Sequence, residues 1–414
     1  MRLLFLVTES KSANGICCKA VMEQFIATGD TVYCITNSEY TDIPRAKQVN
    51  YVTVKPRLSY RLFGKADTQT GVAQKTTLFF AKVTNKAKLL ISFRTWPLIS
   101  KAYVKRLYKV AEKICKSEKI DCIIPIYTQI DTLIVAKKIK DEFPKIKYVP
   151  YFLDALAGGY GPKVLSQEWT NKRCTKWENK LLPTADKIIM MKSAESYHIA
   201  HFSKSSFFRK IVFLDLPLYN PLKTGEVMAS ALFEKDKINL LYIGTIPVHI
   251  RNPKYFLTVF SALKGNALRL HIVGSCTDPE LLQRFEEKDN RIKVHQSVSH
   301  EEALTLIQNA DYLINFGNNN SHMTPCKIFE YMSFGKPIIS VSPIKNEPSE
   351  VYLSKYPDAL IVKEYEKQFE RDVESVEAFL SNKRYIADDY LSELQKTFYL
   401  NTPNAFINEI KKMI

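Results

Sequence analysis

Short, wholly apolar runs alternate with longer segments of helical period along this chain, and the alternation occurs twice; no other feature limits its folds so strongly. In the first half the apolar runs read as strands at Arg2–Thr8, Thr31–Thr36, Cys122–Ile126, Tyr148–Phe152, Lys187–Met191 and Lys210–Phe213. Helical periods fall between several of them, at Ile16–Thr28, Tyr103–Lys116 and Leu133–Glu142. In the second half strands read at Asn239–Ile243, Arg269–Val273, Ile292–His295, Asp311–Asn315, Pro337–Ser340 and Ala359–Val362, with helices at Pro253–Leu263, Pro279–Lys288, His300–Asn309 and Pro325–Phe334. A strand apolar on both faces must be covered on both faces, which is the condition of a parallel sheet between two helical layers. Two such blocks predict an α/β protein with two doubly wound, Rossmann-like domains. The stretch Leu216-Pro217-Leu218-Tyr219-Asn220-Pro221 opens a polar connector and sets the expected seam. Residues 1–218 then form one domain and 219–395 the other, with a terminal helix over 396–414 packing back on the first.

The 414 residues suffice for two cores, and a chain 46% apolar and 25% charged is not disordered. Its formal net charge of +16 points to anionic company: nucleic acid, an anionic membrane surface or phosphorylated ligands. No nucleic-acid module is recognisable and the charge is segmental, so nucleic acid is not expected as a partner. The eight cysteines form no Cys-x-x-Cys pair and no zinc-ligand spacing, and read as buried reduced thiols. No run approaches the roughly 18 apolar residues that span a bilayer. Leu3-Leu4-Phe5-Leu6-Val7 is too short for a secretory signal core and lacks a small-residue cleavage site, so a first buried strand and a cytoplasmic location are expected.

Lys75–Lys119 breaks the even alternation. It holds twelve Lys/Arg against Glu112 and Glu118, net +10, interleaved with Phe79, Phe80, Leu89, Leu90, Phe93, Trp96, Tyr103, Leu107 and Tyr108. Such a segment can dock on an anionic membrane surface at the inner face of the cell membrane. The alternative is a solvated charged helix face whose apolar residues pack inward.

The most informative stretch is Ser321-His322-Met323-Thr324-Pro325-Cys326-Lys327-Ile328-Phe329-Glu330-Tyr331-Met332-Ser333-Phe334-Gly335-Lys336-Pro337-Ile338-Ile339-Ser340. It follows a strand and the turn Gly317-Asn318-Asn319-Asn320. Thr324 is a good N-cap and Pro325 a favoured first helical residue, so the pattern predicts a helix starting there. Backbone N–H groups of Cys326 and Lys327 would then meet a ligand at the carboxyl edge of the sheet, where a phosphate is favoured. Lys327 adds a positive charge, and Glu330, one turn on, can accept hydrogen bonds from ribose hydroxyls. The plainer alternative for Lys327 and Glu330 is an exposed i,i+3 ion pair.

This stretch resembles the donor-binding helix of GT-B glycosyltransferases, in particular the retaining group called glycosyltransferase family 4. Leu240-Leu241-Tyr242-Ile243-Gly244-Thr245 with Arg251-Asn252-Pro253 is similar to the family's first C-domain strand and basic loop, and Leu270-His271-Ile272-Val273-Gly274 to its next strand and glycine turn. Trp177–Ile189 resembles an N-domain helix and strand near the interdomain cleft, and Asn14-Gly15-Ile16 the N-domain glycine loop that faces the donor phosphates. The resemblance implies two Rossmann-like domains with sheets facing a central cleft, and transfer of a sugar from a nucleotide-sugar donor to a glycan or lipid-linked acceptor in cell-surface polysaccharide synthesis. It implies donor contacts at Gly15, Gly244, Thr245, Arg251, Gly274, Thr324, Cys326, Lys327 and Glu330, and a polar cleft residue at Asp154. No cofactor is expected; the nucleotide-sugar is a substrate, a UDP-sugar in preference to a GDP-sugar.

Two departures bear on mechanism. The family's first glutamate, eight residues before the second, falls on His322, and the histidine that often follows an N-domain strand is replaced by Ile126-Tyr127-Thr128. Asp154 and His322 are therefore the candidates near the sugar carbon, His322 being equally readable as a loop histidine. No Asp-x-Asp occurs, so no metal is expected and the leaving diphosphate would rely on Lys327, Arg251 and the helix start. The competing readings are a GT-B nucleotide-sugar epimerase and a catalytically silent GT-B binding or scaffold protein.

Overall fold

The computed structural model describes residues 1–8, 13–37, 46–67, 69–92, 96–159, 161–162, 165–219, 232–321, 323–381 and 388–413. The chain divides into two compact units, Met1–Pro217 with Pro403–Ile414, and Leu218–Thr402.

The first unit opens with β1 (Arg2–Val7), α1 (Ala13–Ala27), β2 (Thr31–Asn37) and β3 (Asn50–Val54). Three helices follow, α2 (Leu58–Asp67), α3 (Gly71–Ser92) and α4 (Lys101–Ser117), then β4 (Cys122–Tyr127) and α5 (Ile130–Glu142). The short strands β5 (Lys147–Tyr148) and β6 (Tyr151–Phe152) lead to α6 (Gln167–Leu181), β7 (Ile188–Met191), α7 (Glu195–Phe202) and β8 (Ile211–Leu214). Strand order is β3-β2-β1-β4-β6-β7-β8, with β5 beside β4, and every pairing is parallel. Leu3, Leu4, Phe5 and Leu6 are fully buried, which is why β1 is apolar without alternation.

The sequence pattern joins Tyr148–Phe152 into one strand; in the structure β5 and β6 are separated at Val149-Pro150. Proline has no N–H to continue the ladder, so only its carbonyl pairs, accepting from Ile189 N–H at 2.9 Å. The edge strand β3, although Val52 and Val54 are β-branched, was not among the expected strands.

The second unit runs β9 (Ile238–Ile243), α8 (Lys254–Ala262), β10 (Leu268–Val273), α9 (Pro279–Lys288), β11 (Ile292–His295), α10 (His300–Asn309) and β12 (Tyr312–Phe316). It continues α11 (Lys327–Ser333), β13 (Ile338–Ser342), α12 (Pro348–Leu353), β14 (Ala359–Lys363), α13 (Phe369–Ser381) and α14 (Asp388–Thr397). All pairings are parallel, in the order β11-β10-β9-β12-β13-β14. Winding proceeds outward from β9 in one direction and then from β12 in the other. The loops leaving those two neighbours diverge, and the crevice at their carboxyl ends is the standard ligand position of such sheets. The Tyr242 ring stacks on Phe316 at 4.6 Å across this pair.

The chain ends in α15 (Pro403–Lys411), which belongs to the first unit. Phe406 lies against Phe25 of α1 at 6.2 Å and Tyr151 at 4.5 Å, and Lys187 pairs with Glu409 at 3.0 Å. None of the eight cysteines is in a disulfide; Cys17, Cys18, Cys34, Cys122 and Cys174 are buried and the other three half-buried.

Candidate functional site

Two glycine turns form one rim of the second unit's crevice. Gly244, after β9, has φ +145° and Gly274, after β10, φ +141°. A Cβ on Gly274 would lie 2.0 Å from the Gly244 carbonyl oxygen, so the two turns touch backbone to backbone and only glycine fits the second. Beyond them the Thr245 carbonyl accepts from the Tyr242 hydroxyl at 3.1 Å, and its exposed hydroxyl accepts from Ser275 at 3.2 Å.

The loop after β9 carries Arg251, whose Nε and Nη2 donate to Asn318 Oδ1 at 3.2 and 3.0 Å. Asn318 is almost fully buried, just past β12. Its side-chain amide donates to Met323 O at 2.8 Å, and its backbone N–H donates to Glu347 Oε1 at 3.1 Å. Glu347 caps α12 through Ser349 N–H at 2.8 Å and is fully buried; burial, against these hydrogen bonds, pushes its carboxyl up to about 7. Arg251 is thus held by a relay, Glu347 to Asn318 to guanidinium. Burial opposes its charge, but the Tyr242 oxygen outweighs this and holds its pKa above the ordinary value.

The cap pattern at Thr324-Pro325 is corrected by the structure. The helix α11 begins at Lys327; Cys326 is its N-cap, already helical in backbone angles and without a side-chain cap bond. Thr324 and Pro325 have no helical assignment, and the first turn closes only from Phe329 N–H to Cys326 O at 3.3 Å. Thr324 therefore lies in the lead-in to the helix and does not cap it.

Lys327 Nζ donates to Glu330 Oε2 at 2.7 Å, with side-chain exposures of 25% and 10%. This is an ion pair, but a largely buried one, unlike the exposed pair of the plainer reading. Burial opposes the Lys327 charge and Glu330 outweighs it, so its pKa is raised. Burial raises the pKa of the Tyr242 hydroxyl, and the charges of Arg251 and Lys327 work against that rise. Tyr331, from the same helix, accepts from Ile243 N–H at 3.3 Å and ties α11 to the end of β9. The structure therefore gathers Gly244, Thr245, Arg251, Gly274, Cys326, Lys327 and Glu330 along one sheet edge. Sequence reasoning missed Tyr242, Asn318 and Glu347. Of these, only Glu347-Pro348 carried a signal, a cap residue before a helix-starting proline.

In the first unit, Gly15 lies in the first turn of α1 rather than in a loop, because the helix starts at Ala13. The neighbouring Asn14 donates from Nδ2 to Asp154 Oδ2 at 2.7 Å. The loop after Asp154 is pinned from below: Ala157 N–H donates to Glu178 Oε1 at 2.9 Å, and Glu178 Oε2 pairs with His198 Nε2 at 3.1 Å. Both side chains are buried, and although burial lowers the His198 pKa, Glu178 outweighs it and raises the net value. His322 lies outside the described residues.

The basic segment divides in two. On α4, Tyr103 and Leu107 belong to the core, Arg106 donates to the carbonyls of Lys55 and Pro56, and Tyr108 bonds to Glu142. Those apolar residues pack inward, as the alternative reading has it. On α3, Phe79 and Phe80 are exposed. Among the described residues no helix is long and apolar enough to cross a membrane.

Residues 237–376, which contain the whole crevice of the second unit, match the family model described as glycosyl transferases group 1. Comparison with curated proteins gives no match. Among solved structures, the lipopolysaccharide outer core galactosyltransferase WaaB in its apo form is 15% identical, with 100% of each chain covered and a TM-score of 0.58. Alr3699/HepE of Anabaena, in complex with UDP-glucose, is 13% identical over 100% of each chain, TM-score 0.59. The UDP-GlcNAc 2-epimerase of Methanocaldococcus jannaschii is 12% identical over 93% of this chain and 95% of its own, TM-score 0.51. At such identities these likenesses show the fold alone. The chain thus shares the two-domain fold of these GT-B proteins, and its residues 237–376 form a domain that matches glycosyl transferases group 1.

Proposed function

We propose that the crevice of the second unit holds the nucleotide diphosphate of a nucleotide-sugar, whose sugar passes to a glycan or lipid-linked acceptor in cell-surface polysaccharide synthesis. The observation that carries this is the largely buried Lys327–Glu330 pair beside Arg251 and Tyr242, at the point where the strand order reverses. Two cations in a partly desolvated setting are suited to a diphosphate, and their attraction grows as the leaving group gains charge. Glu330 would accept hydrogen bonds from the ribose while Lys327 turns towards phosphate. The backbone at Gly244–Thr245 and Gly274 lets the ligand approach without a Cβ in the way, and Thr324 and Cys326 line the lead-in to α11.

The finer reading is a retaining, metal-independent hexosyl transfer from a UDP-sugar. The absence of an Asp-x-Asp pair from the sequence and the two basic side chains support metal independence. Asp154, oriented by Asn14, is proposed as the polar group of the first unit near the sugar carbon, with His322 in the position of the family's first glutamate and Gly15 near the phosphates. Peripheral contact with an anionic membrane at the cytoplasmic face, through the basic segment 75–119, is part of the same proposal.

Thermal stabilisation by a panel of nucleotides and nucleotide-sugars tests it, since ligand binding raises apparent stability. Lys327→Ala and Glu330→Ala should each weaken nucleotide binding by roughly 1.5–3 kcal/mol, the range for hydrogen bonds to charged groups. Asp154→Asn should lower turnover and leave nucleotide affinity alone. Native affinity in both folded alanine variants would remove the pair from the site, and native turnover in Asp154→Asn would remove that carboxylate.

A further inference from the structure

Helix α3 departs from the rule that a surface helix turns its polar side to water. Its inward side is marked by fully buried Ala81, with Gln74, Thr77, Leu78 and Thr84 half-buried. The opposite side carries Val72, Phe79, Val83 and Leu90, exposed by 80, 64, 43 and 79%. Counted from Val72 these residues lie seven, eleven and eighteen positions on. At about 100° per residue each spacing returns to within roughly 20° of the same line. They form a single stripe along the helix, directly opposite Ala81, and Phe80, 55% exposed, widens it.

Isolated exposed apolar side chains are ordinary, whereas a collinear row is a surface awaiting a partner. Of the eleven large apolar side chains exposed among the described residues, five are on this helix. A second row runs beside the stripe: Lys75, Lys82 and Lys86, at spacings of seven and four, lie roughly 40–80° round the helix from it. No Asp or Glu occurs in α3. An apolar line edged by lysines on a helix too charged to span a bilayer is the pattern of a helix lying in the plane of an anionic membrane interface. The stripe suits the acyl boundary, and the long lysine stems let their ammonium groups reach the phosphates above it. A second copy of the chain is the poorer occupant, because two α3 faces would oppose their lysine rows and two chains of net charge +16 repel.

We propose that α3 is an interfacial helix that seats Val72, Phe79, Val83 and Leu90 in the acyl boundary of an anionic bilayer, with Lys75, Lys82 and Lys86 at the headgroup phosphates. This rests on the membrane contact proposed above and narrows it to one element. The lysines of α4 supply only longer-range attraction, since the apolar residues of that helix are spent in the core.

The test is co-sedimentation of the full chain with vesicles of phosphatidylcholine alone and of phosphatidylcholine mixed with phosphatidylglycerol. The native chain should bind the mixed vesicles and not the neutral ones. The double variant Phe79→Ser with Val83→Ser should bind the mixed vesicles at least about tenfold more weakly, two large apolar contacts having been removed from the boundary. Its stabilisation by nucleotide should match that of the native chain. The triple change Lys75→Gln, Lys82→Gln and Lys86→Gln should weaken binding more than Lys101→Gln, Lys105→Gln and Lys109→Gln, which removes the same charge from α4. As a check independent of weakened binding, Phe79→Trp places a fluorophore on the stripe, and its emission should shift to the blue on mixed vesicles. Absence of native binding to mixed vesicles would overturn the membrane contact as a whole. Native binding with unchanged affinity in the double variant, or with no blue shift at Trp in place of Phe79, would overturn the α3 assignment alone. A native chain that self-associates through the stripe, with the double variant monomeric and vesicle binding equal in both, would assign the stripe to a second copy instead.

Discussion

Gly274→Ala isolates the close approach of the two glycine turns, and Gly244→Ala is its internal control. Both residues have φ near +140°, a conformation open in practice to glycine alone, so an added Cβ should cost each site about 1–3 kcal/mol of backbone strain. The sites differ in what the methyl group meets. At Gly244 the nearest atom is the Tyr242 hydroxyl at 3.6 Å, an ordinary contact. At Gly274 the new carbon would sit 2.0 Å from the Gly244 carbonyl oxygen and 2.8 Å from its carbon, atoms that move only if the β9 turn moves. Overpacking of this kind adds about 1–3 kcal/mol, so Gly274→Ala should cost about 2–6 kcal/mol against about 1–3 for Gly244→Ala. Thermal unfolding of the second unit should register the difference as a transition lower by roughly 2–4 °C for each kcal/mol. Because the displaced carbonyl precedes Thr245, nucleotide titration should also show weaker binding in Gly274→Ala. Equal destabilisation by the two changes, or both within about 0.5 kcal/mol of the native chain, the scatter of ordinary surface substitutions, would refute the contact argument.

Two further outcomes test the buried polar groups of the second unit. Glu347→Ala strips acceptors from Asn318 N–H and Ser349 N–H and should cost about 2–5 kcal/mol in urea titrations. It should also weaken nucleotide binding through Arg251, whereas Glu347→Gln keeps an acceptor and loses less; an alanine variant native in both respects would break the relay. His271 is buried between Asn239 and His295, and burial, then the His295 charge, lowers its pKa from 6.5 to about 4. The unfolded chain therefore takes up this proton below pH 6.5 and the folded chain only near pH 4. Stability should fall on acidification across that window by up to about 1.4 kcal/mol per pH unit. His271→Gln should flatten this part of the melting-temperature profile, and an unchanged acid limb would show that His271 does not supply it.

Much of the fold was legible because its cause is local. A parallel strand buried on both faces has to be apolar throughout, as Leu3–Leu6 and Leu240–Ile243 are, and the amphipathic period between such runs names the helices. Where the structure departs, a local rule met a stronger neighbour. Pro150 divides an apolar run that hydropathy alone would keep whole, and α11 starts at Lys327, past the Thr324-Pro325 pattern, with Cys326 as its N-cap. Lys327 and Glu330 could be singled out from spacing, but spacing is the same for an exposed pair and for a buried one.

Legible in the residues alone were most of the strands, their parallel pairing in two blocks, and the helix that follows β12 with a lysine and a glutamate one turn apart. Those follow from period and apolar content, which act within a few residues. It takes the folded chain to show that Glu347 and Asn318 hold Arg251, or that two glycine turns thirty residues apart touch through their backbones. The same holds for the aromatic residues of α4, which pack on the core, while those of α3 face outward. Amphipathic helices of equal charge read alike along the chain, because which face is covered depends on what the rest of the chain lays against it.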